Sequence, residues 1–214
     1  MTDSAPAGAA ESRPTNREEK EAGVSAQLKI LSIGYAGERV AGTVALVRDG
    51  DFIAVIDPGM VANRSMILDP LAAAGVDTGA VTDVVFSHHH PDHTVNAALF
   101  PNARVHDFQA TYQNDLWVPR QFADDSGVSS LSDAVCLVRT PGHTAQDVTT
   151  LVETQDGLVA CTHLWWSEFG PVDDPFATDR DVLRASRERV LAMNPALIVP
   201  GHGAPFAPDT RTPF

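Results

Sequence analysis

The sequence predicts an α+β domain in which β-sheets pack on one another and helices cover the outside. Three observations carry that reading. Strand-like segments occur in both halves of the chain. Each half holds an Asp-Gly turn between two such segments, at Asp49-Gly50 and at Asp156-Gly157, a strong short-range hairpin signal. Helical patterning also occurs in both halves, and a sheet with an apolar face needs another sheet or a helix to bury it. The chain has 214 residues, a length at which one domain is expected and roughly 70% of the unfolded surface can be buried.

Taken in order, residues 1–27 are Ala, Glu, Ser, Thr, Pro and Gly with almost no large apolar side chains. Such a segment buries too little to offset its ordering entropy, so a flexible tail is expected there and a single domain over 28–214. Strands are expected over 28–33, 40–47 and 52–56, the last two joined by Asp49-Gly50. A helix follows over 66–74, with Pro70 starting or interrupting it. The apolar run 81–86 reads as a buried strand, 94–100 as one short helix and 103–108 as a strand. Residues 109–130 read as an irregular, aromatic-rich flap. Strands are expected again over 134–138, 148–152 and 158–161. The clearest helix is 179–193, with Thr178 and Asp181 as a capping box, a seam at Leu183, Ser186, Val190 and Met193, and a stop at Asn194-Pro195. A last strand over 196–199 leads into Pro200-Gly201-His202.

Composition excludes several classes. Acids outnumber bases 28 to 15, a formal charge of −13, so the chain lacks the diffuse basic surface that grips extended nucleic acid. Two cysteines, Cys136 and Cys161, make no disulfide framework and read as thiols of a reducing compartment. The first ten residues have neither the basic nor the apolar region of a secretory leader. No apolar run approaches the ~18 residues that span a bilayer, so no membrane association is expected. These features together predict a cytoplasmic protein. The sequence is compatible with a homodimer.

The histidines carry the chemistry. Of eight, four fall in His88-His89-His90-Pro91-Asp92-His93, directly after the apolar run ending at Phe86. On extended chain, side chains at i and i+2 point the same way, so His88 and His90 can face one metal. Asp92 and His93, beyond the bend at Pro91, can face another. Imidazole and carboxylate are ligands for zinc, and also for iron or manganese. A solvated His-rich loop has no reason to follow a buried strand. His143 in Thr140-Pro141-Gly142-His143-Thr144 and His202 in Val199-Pro200-Gly201-His202-Gly203 each follow a strand through a tight turn.

His88-x-His90-x-Asp92-His93, Pro-Gly-His143-Thr and Pro-Gly-His202-Gly, in that order, resemble the metallo-β-lactamase fold superfamily. Asp57 in Val55-Ile56-Asp57-Pro58-Gly59 looks like its first motif, a structural aspartate behind the metal loop. The resemblance covers about residues 28–206, and segments 42–47, 96–101 and 187–206 point to one branch. It implies an αββα four-layer sandwich, two mixed sheets face to face with helices outside and the site at one edge. It implies His88, His90 and His143 at one metal and Asp92, His93 and His202 at a second, with zinc the usual ion and a bridging water between. Two cations lower the pKa of that water so that it attacks carbon or phosphorus. Asp92 then orients or deprotonates the nucleophile.

The sequence departs from the family at one place. Where the family carries a bridging aspartate at a strand end, this chain reads Cys161-Thr162-His163. A neutral imidazole has one lone pair and cannot bridge as a carboxylate does. His163 therefore binds one metal, limits the site to one metal, or favours iron or manganese over zinc. Alternatives are a role for His163 behind the ligands, or Cys161 as the ligand; Cys161 and Cys136 read as core thiols. His89 should point away and His106 reads as structural. Aromatics Phe108, Tyr112 and Trp117, and Trp165, Trp166 and Phe169, divide between core and substrate wall; Tyr112, Trp117, Trp165 and Trp166 are the candidates for the wall. Arg120 and Arg139 are candidate anchors for a substrate anion.

The expected function is a metal-dependent hydrolase of a small ester, thioester, lactone, amide or phosphoester, with His163 and Asp92 at the reacting centre. Three alternatives stay open: an iron-dependent oxygenase or redox enzyme, a metal-dependent nuclease, and a degenerate site that only binds metal.

Overall fold

The computed structural model describes residue 1 and residues 25–123, 127–177 and 179–214. Residues 2–24 of the expected tail lie outside the described residues. The domain starts earlier than expected: Ala26 is buried and bridges Thr154, and Gln27 is already in a strand. In chain order the elements are β1 (Gln27–Ser32), β2 (Tyr35–Ala36), β3 (Val40–Ala41), β4 (Val44–Asp49), β5 (Phe52–Ile56), α1 (Ser65–Ala73), β6 (Asp83–Val85), α2 (Pro91–Thr94), β7 (Arg104–His106), β8 (Ala110–Gln113) and β9 (Leu116–Pro119). Then come β10 (Val128–Ser130), β11 (Val135–Arg139), β12 (Val148–Thr154), β13 (Gly157–Thr162), α3 (Arg180–Ala192) and β14 (Leu197–Pro200).

Among the described residues two mixed sheets form the body of the domain, beside a two-stranded β2-β3 ribbon. One runs β1-β4-β5-β6-β7-β8-β9, the other β10-β11-β12-β13-β14. Strand alternation sorts their side chains. Ala45 and Val47 of β4 join Ile56, Val85, Leu137, Val152 and Cys161 between the sheets. Val44 and Leu46 face the other way, onto Ile67 and Leu71 of α1. On the outer face of the second sheet, Val138, Ala160 and Ile198 pack on Leu183 and Val190 of α3. The layers are therefore α1, sheet, sheet, α3, as the resemblance implies. No helix among the described residues is long and apolar enough to cross a membrane.

Both Asp-Gly turns form, at Asp49↔Phe52 and Thr154↔Gly157, with Gly50 and Gly157 at positive φ. Several expected elements differ. The strand over 40–47 is broken at Gly42-Thr43, whose N–H groups donate instead to Asp92 O (3.0 Å) and Gly201 O (2.7 Å). Pro70 lies inside α1 rather than at an end. The carbonyl left without its N–H partner is that of Met66, which is exposed to water. The single helix over 94–100 is two short pieces. Proline starts α2 at its first position, and Asn96 then turns the chain by donating to Pro58 O from its backbone and to Gly59 O from its side chain. The irregular flap is ordered into the β8–β9 hairpin, turned at Asn114 with φ 54, and β10. Thr178 lies outside the described residues. The side chain of Asp179 caps α3 by accepting from Asp181 N and Val182 N.

Candidate metal centre

Five strand ends meet at one edge of the sandwich. β5 and β6 run parallel, and their C-terminal ends deliver Asp57 and His88. β11, β13 and β14 share one direction, and their ends deliver His143, His163 and His202. The turns before these residues are tightly packed. A Cβ on Gly201 would run into the His163 ring, and one on Gly59 into the Asp92 carbonyl. Asp57 adopts φ 50, a strained conformation held by three hydrogen bonds. Its carboxylate accepts from Ser87 N (2.7 Å), Ser87 Oγ (2.7 Å) and His93 Nδ1 (3.0 Å).

The hydrogen bonds assign the ring nitrogens. Ser87 Oγ spends its proton on Asp57, so His88 Nδ1 donates to Ser87 Oγ at 3.0 Å. His143 Nδ1 donates to Asp174 Oδ2 (2.8 Å) and His202 Nδ1 to Ala41 O (2.9 Å). In their neutral forms, His88, His93, His143 and His202 therefore turn Nε2 lone pairs inward. His88 Nε2 and His143 Nε2 both lie 3.0 Å from His90 Nδ1, which carries one proton at most. His163 Nε2 faces His202 Nε2 at 2.9 Å. His163 Nδ1 and His93 Nε2 are buried with no hydrogen-bond partner. So many inward lone pairs at this distance repel one another unless a cation sits among them, and unpaired buried nitrogens are otherwise costly.

Ligand atoms of His88, His90 and His143 lie within 4.8 Å of one another, as do those of Asp92, His93 and His202. The first set is the triad of one implied metal and the second that of the other. His163 is between them: its ring centroid is 4.1 Å from His143, 4.5 Å from His88, 4.8 Å from His93 and 4.9 Å from His202. The donors fit a divalent metal. Burial, and then the neighbouring histidines, hold His88 and His163 well below the usual imidazole range, so both stay neutral donors. Burial works to lower His93 as well, yet the Asp57 and Asp92 carboxylates outweigh it and raise His93 to about 9. Burial raises Asp92, but His93 at 3.4 Å and His202 at 3.6 Å outweigh it and bring it to about 2.

Other expectations fare unequally. Cys161 lies in the core between the sheets and burial pushes its thiol up, so it is no candidate ligand. His89 turns away, Nε2 on Asp107 Oδ2 at 2.8 Å. Trp165 is fully buried in the core cluster beneath α3, with Nε1 donating to Pro213 O, so it packs the core rather than walling a substrate, which corrects the expectation for it. Tyr112 and Trp117 pair with each other on the β8–β9 hairpin, the Tyr112 hydroxyl donating to Asp107, rather than with the site histidines. Trp166 does stand at the site, its centroid 5.7 Å from His202 and 6.2 Å from His143. Arg120 is taken up by Asp107 O and His106, and Arg139 lies over Phe108.

Sequence reasoning missed Ser87, Phe176 and Asp174. Phe176 stacks on Trp166 at 5.9 Å and edges His143 at 5.8 Å. Asp174 is 1% exposed. The aromatic-rich stretch after His163 was the available signal, but no spacing in it marks Asp174.

The comparisons bear on the family and the fold. The profile of the Metallo-beta-lactamase superfamily matches residues 37–107. Metallo-beta-lactamase domain-containing protein 1 of Rattus norvegicus is 36% identical over 71% of this chain, and that of Xenopus laevis 30% identical over 77%. The matched region spans 62% of the rat protein and 72% of the Xenopus one. Among solved structures, a Thermotoga maritima protein given the name metallo-beta-lactamase superposes with TM-score 0.65 at 22% identity, over 86% of this chain and all of that one. An N-acyl homoserine lactone hydrolase with its product at the catalytic metal centre superposes with TM-score 0.59 at 17% identity, over 84% and 93%.

Proposed function

This chain belongs to the metallo-β-lactamase superfamily, and from that premise we propose that it is a metal-dependent hydrolase of a small ester, thioester, lactone, amide or phosphoester. One observation carries the reading: imidazole nitrogens from four strand-end segments converge beside Asp92, facing one another at 2.9–3.0 Å. His88, His90 and His143 would hold one zinc ion and Asp92, His93 and His202 a second, with His163 between. Bound there, zinc supplies a Lewis acid and a water acidic enough to ionise near neutral pH.

The chain's own groups do the rest. Asp57 fixes Ser87 and His93, and through Ser87 the tautomer of His88. Asp92 Oδ2, 3.4 Å from His93 Nε2 and 3.6 Å from His202 Nε2, is placed to hold the proton of an attacking water. His90 is exposed and Phe176 is 63% exposed, so the cluster opens to solvent on their side. The Trp166–Phe176 stack gives that opening an apolar wall. The charge of −13 supports a small substrate over extended nucleic acid.

A second reading rests on His163. An imidazole at the centre of the cluster favours a single iron and oxygen chemistry. Elemental analysis of the full chain purified without added metal, followed by a hydrolysis screen with and without chelator, separates the two. About two zinc per chain, and turnover that chelator removes and zinc restores, is expected. One iron per chain with oxygen uptake selects the second reading, and no turnover with any metal sinks both.

A further inference from the structure

The triad of His88, His90 and His143, together with His163, is made of imidazoles alone. A divalent cation among them would keep its full charge in a largely buried place, where charge is costly unless something offsets it. Asp92 sits with the other triad, and Asp57 bonds His93 directly but reaches His88 only through the neutral Ser87 hydroxyl. Behind His143 stands Asp174. Its Oδ2 accepts from His143 Nδ1 at 2.8 Å and from Trp166 Nε1 at 3.0 Å, and its Oδ1 from Phe176 N at 2.8 Å. A ligand atom of Asp174 lies within 4.8 Å of those of His143 and His163.

The loop that carries it is braced. Arg187, 1% exposed on α3, donates from Nε to Leu164 O (2.9 Å), from Nη1 to Val172 O (2.9 Å) and from Nη2 to Pro171 O (2.7 Å). Three donors from one guanidinium fix both ends of the segment between His163 and Asp174. A carboxylate kept buried on such a brace, with its acceptors turned on a ligand and on the site's aromatic wall, is placed for the site rather than for the core.

We propose that Asp174 is a positioning residue that aims His143 into the cluster and supplies the negative charge which the all-imidazole triad lacks. The proposal rests on the reading that this cluster holds a divalent metal. It makes Asp174 and His163 interdependent. A carboxylate introduced at position 163 would meet the same electrostatic need directly.

The test is zinc affinity of the full chain by competition with a chromophoric chelator, with thermal unfolding as the check on folding. Asp174→Asn is expected to weaken zinc by about 10–100-fold, the range for lost partners of metal-bound histidines. Asp174→Glu keeps the charge and is expected to retain most of the affinity. In a His163→Asp background the loss from Asp174→Asn should shrink by about tenfold, as for two members of one network. Asp174→Ser replaces the amide should Asp174→Asn not fold. Unchanged zinc affinity in the neutral variant overturns the proposal. So does an equal loss in both backgrounds, or a loss in Asp174→Glu as large as in Asp174→Asn, since either leaves only a packing role. A wild-type chain that binds no zinc overturns the metal reading and the proposal with it, an outcome distinct from zinc bound equally by both.

Discussion

Two groups of buried histidine lie in this molecule, and they are built on opposite terms. His106 is 4% exposed and His88 1%. Each has a carboxylate close at hand, Asp83 for His106 and Asp57 behind Ser87 for His88. His106 spends both nitrogens within the protein: Nε2 donates to Asp83 Oδ1 at 2.6 Å, and Nδ1 accepts from Arg120 Nη2 at 3.0 Å. Asp83 also accepts from Arg104 Nε and Thr82 Oγ1. At the strand-end cluster the outward nitrogens of His88, His93, His143 and His202 are satisfied within the protein, and the inward ones face one another or the Asp92 carboxylate at 3.4–3.6 Å. Burial and a carboxylate partner are common to both, so neither marks a site. What separates them is where the lone pairs point.

Predictions that break or sharpen this contrast run from large to small. His90→Ala should remove bound metal and lower turnover by about 10³-fold, the order lost with an electrostatic stabiliser, while the melting temperature of the metal-free chain stays put. Metal retained in that variant would place the cation elsewhere. Asp83→Ala should do the reverse. It strands His106 Nε2–H, a buried neutral donor, and should cost about 1–3 kcal/mol in denaturant unfolding, with metal content per chain unchanged.

The same network predicts a pH effect. Burial raises Asp83, but donors from His106, Arg104 and Thr82 outweigh it and hold its carboxyl below the usual 3.8. A depressed folded pKa means stability that is present above pH 3.8 and lost as pH falls through the folded value. The acid limb of the stability curve should therefore be shallower in Asp83→Ala than in the parent, and identical limbs would refute the linkage. Smaller still, Phe176→Ala should raise KM with little change in kcat if its ring only walls the substrate; an equal fall in kcat and kcat/KM would assign it to the transition state instead. Trp117→Ser, on the exposed hairpin strand, should move stability by no more than about 0.5 kcal/mol and leave turnover alone.

Much of this was legible beforehand because it is local. Asp49-Gly50 and Asp156-Gly157 specify turns by φ, and both form. His88, His90, Asp92 and His93 lie within six residues, and His143 and His202 carry their own turn residues. Where expectation failed, a distant partner decided. Gly42-Thr43 left the strand to bond Asp92 and Gly201. Trp165 and Trp166 are neighbours in sequence, yet one is core and the other faces His202, because consecutive side chains diverge and only packing shows which way each goes.

The amino-acid sequence by itself determined the family, the sandwich and the identity of the residues at the cluster, since residue type, spacing and turn chemistry are properties of short stretches. Only the tertiary structure decided that His163 stands between the triads and that Asp174 stands behind His143 across a gap of 31 residues. Those outcomes depend on which strand ends meet and which way side chains turn there, and that is settled by the packing of the two sheets.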